Sequence, residues 1–136
     1  MRVSLDTHVL VSAYATRGLS ADVYRHVLAG RELVLSETVL SEFSRVLTER
    51  LGLPRHHVES FIEDLRLHEV VESATADESL EIVRDADDRY VVADAIEGDC
   101  ESLITGDLDI LDVRDPIRGT RATSPREYWE SIRAGK

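Results

Sequence analysis

The sequence predicts an α/β fold with three layers, in which a mostly parallel central sheet of four to five strands lies between helices. Short apolar runs typical of strands alternate along the chain with helical patterns. Strands joined through helices form parallel sheets with helices on both faces. The 136 residues suit a single core. Neither an internal repeat nor a linker rich in Pro, Gly or Ser divides the chain, so we expect one domain over residues 1–136.

The predicted strands are short runs of β-branched and other apolar residues bounded by polar or turn-forming residues. They are "RVSL" at Arg2–Leu5, "ELVL" at 32–35, "HEVV" at 68–71, "SLIT" at 102–105 and a fainter "GTRAT" at 119–123.

Three helix starts are marked by their capping residues. Ser36 is expected to cap one helix, and Pro54 to occupy the first position of the next. The stretch 124–127, "SPRE", predicts a capping box with Pro at the first helical position. The helix after Ser36 carries one apolar face, made by Val39, Leu40, Phe43, Val46 and Leu47.

The charged residues exclude several classes of protein. The formal net charge of −11 argues against a protein that binds nucleic acid through a basic surface. Of the sixteen basic residues all but Lys136 are Arg. A P-loop needs an internal Lys, and so do receiver domains and haloacid-dehalogenase-like phosphatases, so these classes are excluded.

The cellular location is predicted from what the sequence lacks. No apolar run approaches the roughly 20 residues that cross a bilayer. The stretch "MRVSLDTHVLVSAY" is interrupted by Asp6 and His8 and has no small-residue cleavage site. Cys100 is the one cysteine, so an internal disulfide cannot form. We therefore expect a cytoplasmic protein.

Two acidic residues follow predicted strands. Asp6 ends the first strand, and Asp107 comes two residues after "SLIT", beyond Gly106. The carboxyl ends of parallel strands meet at one edge of a sheet, and ligands of such sheets gather there. We expect both carboxylates at that edge.

Two further acids lie on predicted helices. At about 100° per residue, Asp88 falls in the middle of the apolar stripe of its helix. The members of that stripe are Val91, Val92, Ala95 and Ile96, and the acids outside it are Asp87, Asp94 and Glu97. Glu42 borders the apolar arc of the helix after Ser36, about 40° beyond Val46.

Four carboxylates aimed at one edge repel one another, and carboxylates are seldom buried without a partner. An internal Lys does not exist, so a divalent cation is the expected partner. Ligands that are all oxygen favour Mg²⁺ or Mn²⁺. Such an ion keeps open positions for phosphate oxygens and for an attacking water, which predicts phosphodiester hydrolysis.

Four segments of the chain resemble those of PIN domains, and most of all those of VapC-type toxin nucleases from prokaryotic toxin–antitoxin pairs. The opening segment is "VSLDTHVLVSA" and the second is "LSETVLSEFSRVL". The third and fourth are joined in "DADDRYVVADAIEGDCESLITGDLDIL", and "TSPREYWESI" resembles the closing helix. The order and spacing of the set make the resemblance specific.

The resemblance implies a PIN-like fold and RNA hydrolysis that depends on Mg²⁺ or Mn²⁺, with one or two ions per site. It implies a metal-binding quartet of Asp6, Glu42, Asp88 and Asp107, with Asp109 close behind. Thr7 and Thr105 would support the quartet as hydroxyl donors. A small antitoxin protein is the implied partner, and members of the family often form homodimers.

The chain departs from the family at His8, where the usual residue is Asn. A neutral imidazole can donate one hydrogen bond, so His8 is expected to keep the supporting role of that Asn. For contacts with RNA we expect Arg17, just past the first helix, and Arg89, beside Asp88.

Two other interpretations stay open at this point. A degenerate member of the family would bind RNA or a partner protein without cutting, although retention of all four acids argues against it. A metal-dependent phosphatase is disfavoured because an internal Lys is lacking and because Asp6 is not followed two residues later by another Asp.

Overall fold

The computed structural model describes residues 1–72, 80, 82–83, 86–113 and 116–135, with the side chains of residues 86 and 87 left aside. The strands are β1 (Arg2–Leu5), β2 (Glu32–Ser36), β3 (Glu69–Val71), β4 (Ser102–Ile104) and β5 (Arg121–Thr123). The helices are α1 (Thr7–Ala15), α2 (Leu19–Gly30), α3 (Glu37–Arg45), α4 (Arg55–Leu65), α5 (Ala86–Glu97), α6 (Leu108–Leu111) and α7 (Pro125–Arg133). A π-helical turn, Val46–Arg50, continues α3. Within the described residues, the helices are all too short or too polar to cross a membrane.

The five strands form one parallel sheet in the order β3-β2-β1-β4-β5, which confirms the predicted fold class. All five predicted strands are present: β1 has the predicted bounds, and the other four differ from theirs by one or two residues at an end. The central strand β1 lies between β2 and β4, so its carboxyl end is flanked by theirs. Burial on both faces explains why these strands are short continuous apolar runs.

Alternate residues of the strands enter two separate cores on the two faces of the sheet. Leu33 and Leu35 of β2 pack with the helices α1 to α4 and with Tyr128 of α7. Val34 and Leu103 face the opposite way and pack with α5 and α6. This alternation, with a side-chain period of two, produces the three layers.

The predicted caps are present at two helix starts and differ at the third. The Ser36 hydroxyl accepts a hydrogen bond from the backbone N–H of Val39 at 3.2 Å. Ser124 and Glu127 form the predicted capping box of α7. Pro54, however, is the residue before α4 and not its first member, because its ψ of 142° is extended and the helix begins at Arg55.

Helix α5 is buried over a wider arc than its apolar stripe. Asp94, which lies outside that stripe on the helical wheel, is only 3% exposed. Its neighbours Ala93 and Ala95 are both buried, since α5 packs against β2 and β4 and is covered on more than one side. The helical wheel therefore predicts the wrong exposure for Asp94. Hydrophobic periodicity does not reveal that a helix face is buried when the residues beside it are small, as alanines are.

The close approach of Gly98 to the sheet gives the first prediction. A Cβ at residue 98 would lie 2.7 Å from Val34 Cγ1 in the core. We expect Gly98→Ala to lower the free energy of unfolding by about 1–3 kcal/mol, as overpacking does. Urea unfolding followed by circular dichroism measures the change.

Gly30→Ala is the matched control, because a Cβ at the end of α2 meets nothing within 4 Å. It should be neutral or slightly stabilising, since Ala favours helix. Equal effects of the two substitutions would contradict the close approach of Gly98 to Val34.

Candidate active site

Asp6 is the buried acid at the carboxyl end of β1. It is 8% exposed, and its side chain caps α1 by accepting a hydrogen bond from the N–H of Val9 at 3.0 Å. The other carboxylate oxygen, Oδ2, accepts a hydrogen bond from the Thr105 hydroxyl. Each oxygen has two lone pairs, so each can still accept from or bind another group.

Burial raises the pKa of Asp6 above its usual value. The hydrogen bonds from Thr105 and Val9 oppose that rise, and so does the nearby His8, while the charge of Asp107 adds to it. Desolvation is the largest of these effects. The carboxylate is therefore held at the sheet edge in an environment where its negative charge is unfavourable without a cation.

Thr105 connects Asp6 with Asp107. Besides donating to Asp6, its hydroxyl oxygen accepts a hydrogen bond from the N–H of Asp107 at 3.0 Å. Its backbone N–H donates to Thr123 O at 2.9 Å, which continues the β4–β5 pairing by one residue. The hydroxyl thus holds the ends of β1 and β4 in a fixed relation.

The turn after Thr105 presents two carboxylates. Asp107 caps the short helix α6, and its Oδ1 accepts from the N–H of Asp109 at 2.9 Å. Leu108 between them is exposed, whereas Ile110 and Leu111 anchor α6 in the core. The acidic side chains are therefore fixed by local hydrogen bonds and by the burial of the next two residues.

Three carboxylates meet beside this turn: Asp88 from the first turn of α5, Asp107 and Asp109. One oxygen from each lies within 4.8 Å of the others, and all three residues are half-buried. This donor set is all oxygen and anionic, which fits a hard divalent cation such as Mg²⁺ or Mn²⁺. Among the described residues, Asp6 and Glu42 do not belong to this group of three carboxylates.

Glu42 lies on α3, which packs against α1. It is half-buried and lines an open groove of about 500 Å³ with Glu37, Thr38, Ser41 and Arg45. The β1–β2 register pairs Ser4 with Val34, so the start of α3 at Ser36 lies beside Asp6. Glu42 is therefore on an element that begins at the acidic edge, and its part in a metal-binding quartet stays a prediction.

The supporting residues are placed as follows. Thr7 is buried, and its hydroxyl has no hydrogen-bond partner among the described residues. His8 and Arg17 are exposed. The Nε of Arg89 donates to the carbonyl of Val83 at 2.7 Å, so part of this guanidinium is used to hold the segment before α5. The acceptor role of the Thr105 hydroxyl was not predicted from the sequence, although Thr two residues before Asp is a spacing that permits it.

Residues 2–109 match the sequence profile of the PIN domain. The match covers most of the chain, so the chain belongs to the PIN-domain family. In a sequence search, none of the curated proteins matches.

Solved structures of VapC-type proteins share this fold. VapBC2 from Rickettsia felis, solved bound to a DNA fragment from its promoter, superposes with a TM-score of 0.61 and 13% identity over 91% of this chain and 98% of that one. VapC20 from Mycobacterium tuberculosis, a sarcin-ricin loop cleaving toxin, gives 0.54 and 18% identity over 77% of this chain and 91% of that one.

The pKa of Asp6 gives the second prediction. A carboxyl group whose pKa is raised by folding lowers the stability of the folded protein while the group is ionised. The stability rises again when the pH falls through the folded-state pKa and the group takes up a proton. Asp6→Asn removes the charge and keeps an acceptor for Val9, whereas its NH2 group cannot accept from the Thr105 hydroxyl, and that loss does not depend on pH. In EDTA, we therefore expect the melting temperature of Asp6→Asn, relative to that of the wild type, to be highest at pH 8 and to fall as the pH is lowered toward 5.

Thermal melts at four pH values compare the wild type, Asp6→Asn and the control Asp99→Asn, which alters an exposed acid. The control should show no such trend. If the difference in melting temperature between Asp6→Asn and the wild type stays constant with pH, or becomes more favourable to the variant as the pH falls, the unfavourable burial of this carboxylate is refuted.

Proposed function

We propose that this chain is a metal-dependent endoribonuclease and the toxin component of a toxin–antitoxin pair, with residues 1–136 acting as one nuclease domain. The convergence of Asp88, Asp107 and Asp109 beside the buried Asp6 is the observation that carries the proposal. Membership of the PIN-domain family supports it. Further support comes from the fold shared with VapC20, whose described activity is cleavage of the sarcin-ricin loop.

In this proposal, Asp88, Asp107 and Asp109 hold the cation, and Asp6 and Glu42 complete its surroundings. When bound, a Mg²⁺ or Mn²⁺ ion supplies a polarised water and neutralises charge on the phosphate. Thr105 orients Asp6 toward the site, and the hydrogen bond within the Asp107–Asp109 turn orients the other side. Thr7, whose buried hydroxyl has no hydrogen-bond partner among the described residues, and His8 are proposed to support the acids. Arg17, which is exposed, and Arg89, beside Asp88, are proposed to contact RNA.

The acidic character of the chain is compatible with an RNA substrate. A net charge of −11 repels a polyanion at long range, but cations bound between carboxylates and phosphates remove that repulsion locally. Binding of RNA is therefore expected to require the divalent ion, unlike binding through a basic surface. RNA as the substrate also agrees with a cytoplasmic location.

A cleavage assay tests the proposal. A 5′-labelled RNA hairpin with a single-stranded loop is incubated with the purified chain in Mn²⁺, in Mg²⁺ or in EDTA. We expect cleavage with a metal ion and none in EDTA. Asp107→Asn should reduce the rate roughly 100-fold or more, because loss of a charged ligand exceeds the 10–100-fold effect of outer groups.

Asp99→Asn is the matched control, with the same chemical change at an exposed position just before β4. It should cleave at the wild-type rate. If Asp107→Asn and the wild type cleave equally, the activity belongs to a contaminant. If neither cleaves but both bind the RNA, the alternative of a degenerate binding module replaces the nuclease.

The proposed partner is a small antitoxin protein. The resemblance to VapC-type toxins of toxin–antitoxin pairs supports this, and so does the fold shared with VapBC2 from R. felis. A small reading frame adjacent to the gene is the natural candidate. Its product should co-purify with this chain and suppress cleavage of the hairpin, and failure to do either would remove it as the antitoxin.

A further inference from the structure

An exposed leucine lies between two of the three clustered carboxylates. Leu108 follows Asp107 and precedes Asp109, and it is 72% exposed. Consecutive Cα atoms are about 3.8 Å apart, so this apolar side chain begins within one residue's length of both acids. Among the described residues, the other large apolar side chains that are exposed lie outside the stretch 105–109. Leu108 therefore belongs to the surface that surrounds the proposed metal site.

The backbone of Leu108 is held in place by hydrogen bonds within α6. Its carbonyl accepts from the N–H of Asp112 at 2.8 Å, and the carbonyl of Asp107 accepts from the N–H of Leu111 at 3.0 Å. Ile110 and Leu111 are buried and anchor the helix. The leucine is thus presented at a fixed point beside the carboxylates, so a ligand that contacts it does not have to order a loop first.

Neither the start of α6 nor the core accounts for a leucine at this position. The first turn of a helix favours acidic and polar side chains. A hydrophobic staple pairs an apolar residue before the cap with one inside the helix, and residue 106 is Gly, so Leu108 takes part in no staple. With most of its surface in water, it adds little apolar burial to the fold. That surface is available to a ligand of the adjacent site.

The net charge of the chain favours contacts with the bases of an RNA over contacts with its phosphates. At a formal charge of −11, the chain gains little from the phosphate attraction that supplies most nonspecific affinity for nucleic acid. The face of a base is uncharged, so its contact with an apolar side chain is not opposed in this way. Unpaired bases of RNA can be splayed out, and Leu is among the side chains that proteins insert between bases.

We propose that Leu108 packs against the nucleobase next to the phosphate held at the three carboxylates, and that it separates this base from its neighbour. The inference rests on the proposed nuclease function and names its substrate as RNA whose bases are unpaired at that point. A base within a duplex has to be unpaired and unstacked first, so a loop is bound in preference to a stem. Leu108 is a specificity-determining contact and takes no part in the chemistry.

Fluorescence of 2-aminopurine tests the contact, because this adenine analogue becomes brighter when it is unstacked. It replaces one loop nucleotide at a time in the hairpin of the cleavage assay. The full chain is added in Mg²⁺, and the fluorescence is read before cleavage products accumulate. We expect the wild type to raise the fluorescence at one loop position. Leu108→Ser should abolish that rise and increase the Kd for the hairpin about tenfold, as the loss of one stacking partner does.

Leu67→Ser is the matched control, because Leu67 is 84% exposed and lies just before β3, at the other end of the strands from the acids. It should bind and unstack the RNA as the wild type does. Leu108→Met keeps an apolar side chain of similar volume, so it should retain both the affinity and the rise in fluorescence. Melting temperatures of all three variants should match that of the wild type, since both leucines are exposed.

Cleavage of the same hairpins is measured separately, so the two proposals can fail independently. If the wild type unstacks a loop base without cutting the RNA, the nuclease proposal fails and the Leu108 contact is supported. If the wild type cuts the RNA but Leu108→Ser binds and unstacks it equally well, only the contact is overturned. The contact is also overturned if the wild type unstacks no loop base, or if Leu67→Ser or Leu108→Met is as defective as Leu108→Ser.

Discussion

The hydrogen bond from the Thr105 hydroxyl to the Asp6 carboxylate is the interaction on which the acidic edge depends. It joins the turn after β1 to the turn after β4, two strands that pair in the centre of the sheet. The same hydroxyl accepts from the N–H of Asp107, so one oxygen sets the separation of the first acid from the last. A residue without a hydroxyl at 105 would leave the buried Asp6 and the backbone N–H of Asp107 each with one hydrogen bond fewer.

The buried and neighbouring carboxylates of the acidic edge destabilise the fold electrostatically, and burial elsewhere in the protein offsets this. Burial and the neighbouring Asp107 both raise the pKa of Asp6, so its ionised form is unfavourable in the metal-free chain. The nearby strands are among the most buried parts of the molecule, with Val3, Leu5 and Leu103 fully enclosed. Apolar burial of this kind, at about 25 cal/mol per Å², is the source of stability that lets acids be held together before a cation arrives.

Sequence reasoning predicted what depends on periodicity and on the parallel direction of the strands. The positions of Asp6 and Asp107 follow directly from the ends of β1 and β4, because adjacent parallel strands end at one edge. The first-turn position of Asp88 on α5 follows from its helical stripe. These are local patterns, and tertiary packing did not alter them.

The features that sequence reasoning missed depend on contacts between elements. Asp94 is buried because other parts of the fold pack closely against α5 beside its small alanines, and a helical wheel does not show such packing. The φ of Pro54, −58°, is compatible with both helical and extended backbone. Its ψ, which the sequence does not determine, is extended and places it before α4. The place of Glu42 in the metal-binding quartet stays a prediction, because its distance from the other acids depends on how α3 packs against α1.

The two ends of the strands in a parallel sheet are chemically different, and this chain places Asp6 and Asp107 at the carboxyl ends. Side chains after the strands include Asp6 and Asp107, whereas Arg31 and Arg121 lie just before or at the start of strands. The carboxylates are thereby kept at the far end of the strands from these two guanidiniums, which would otherwise neutralise them and displace a cation. Because Asp6 and Asp107 lie at the opposite end of the strands from Arg31 and Arg121, neither of these guanidiniums relieves the repulsion between the two carboxylates.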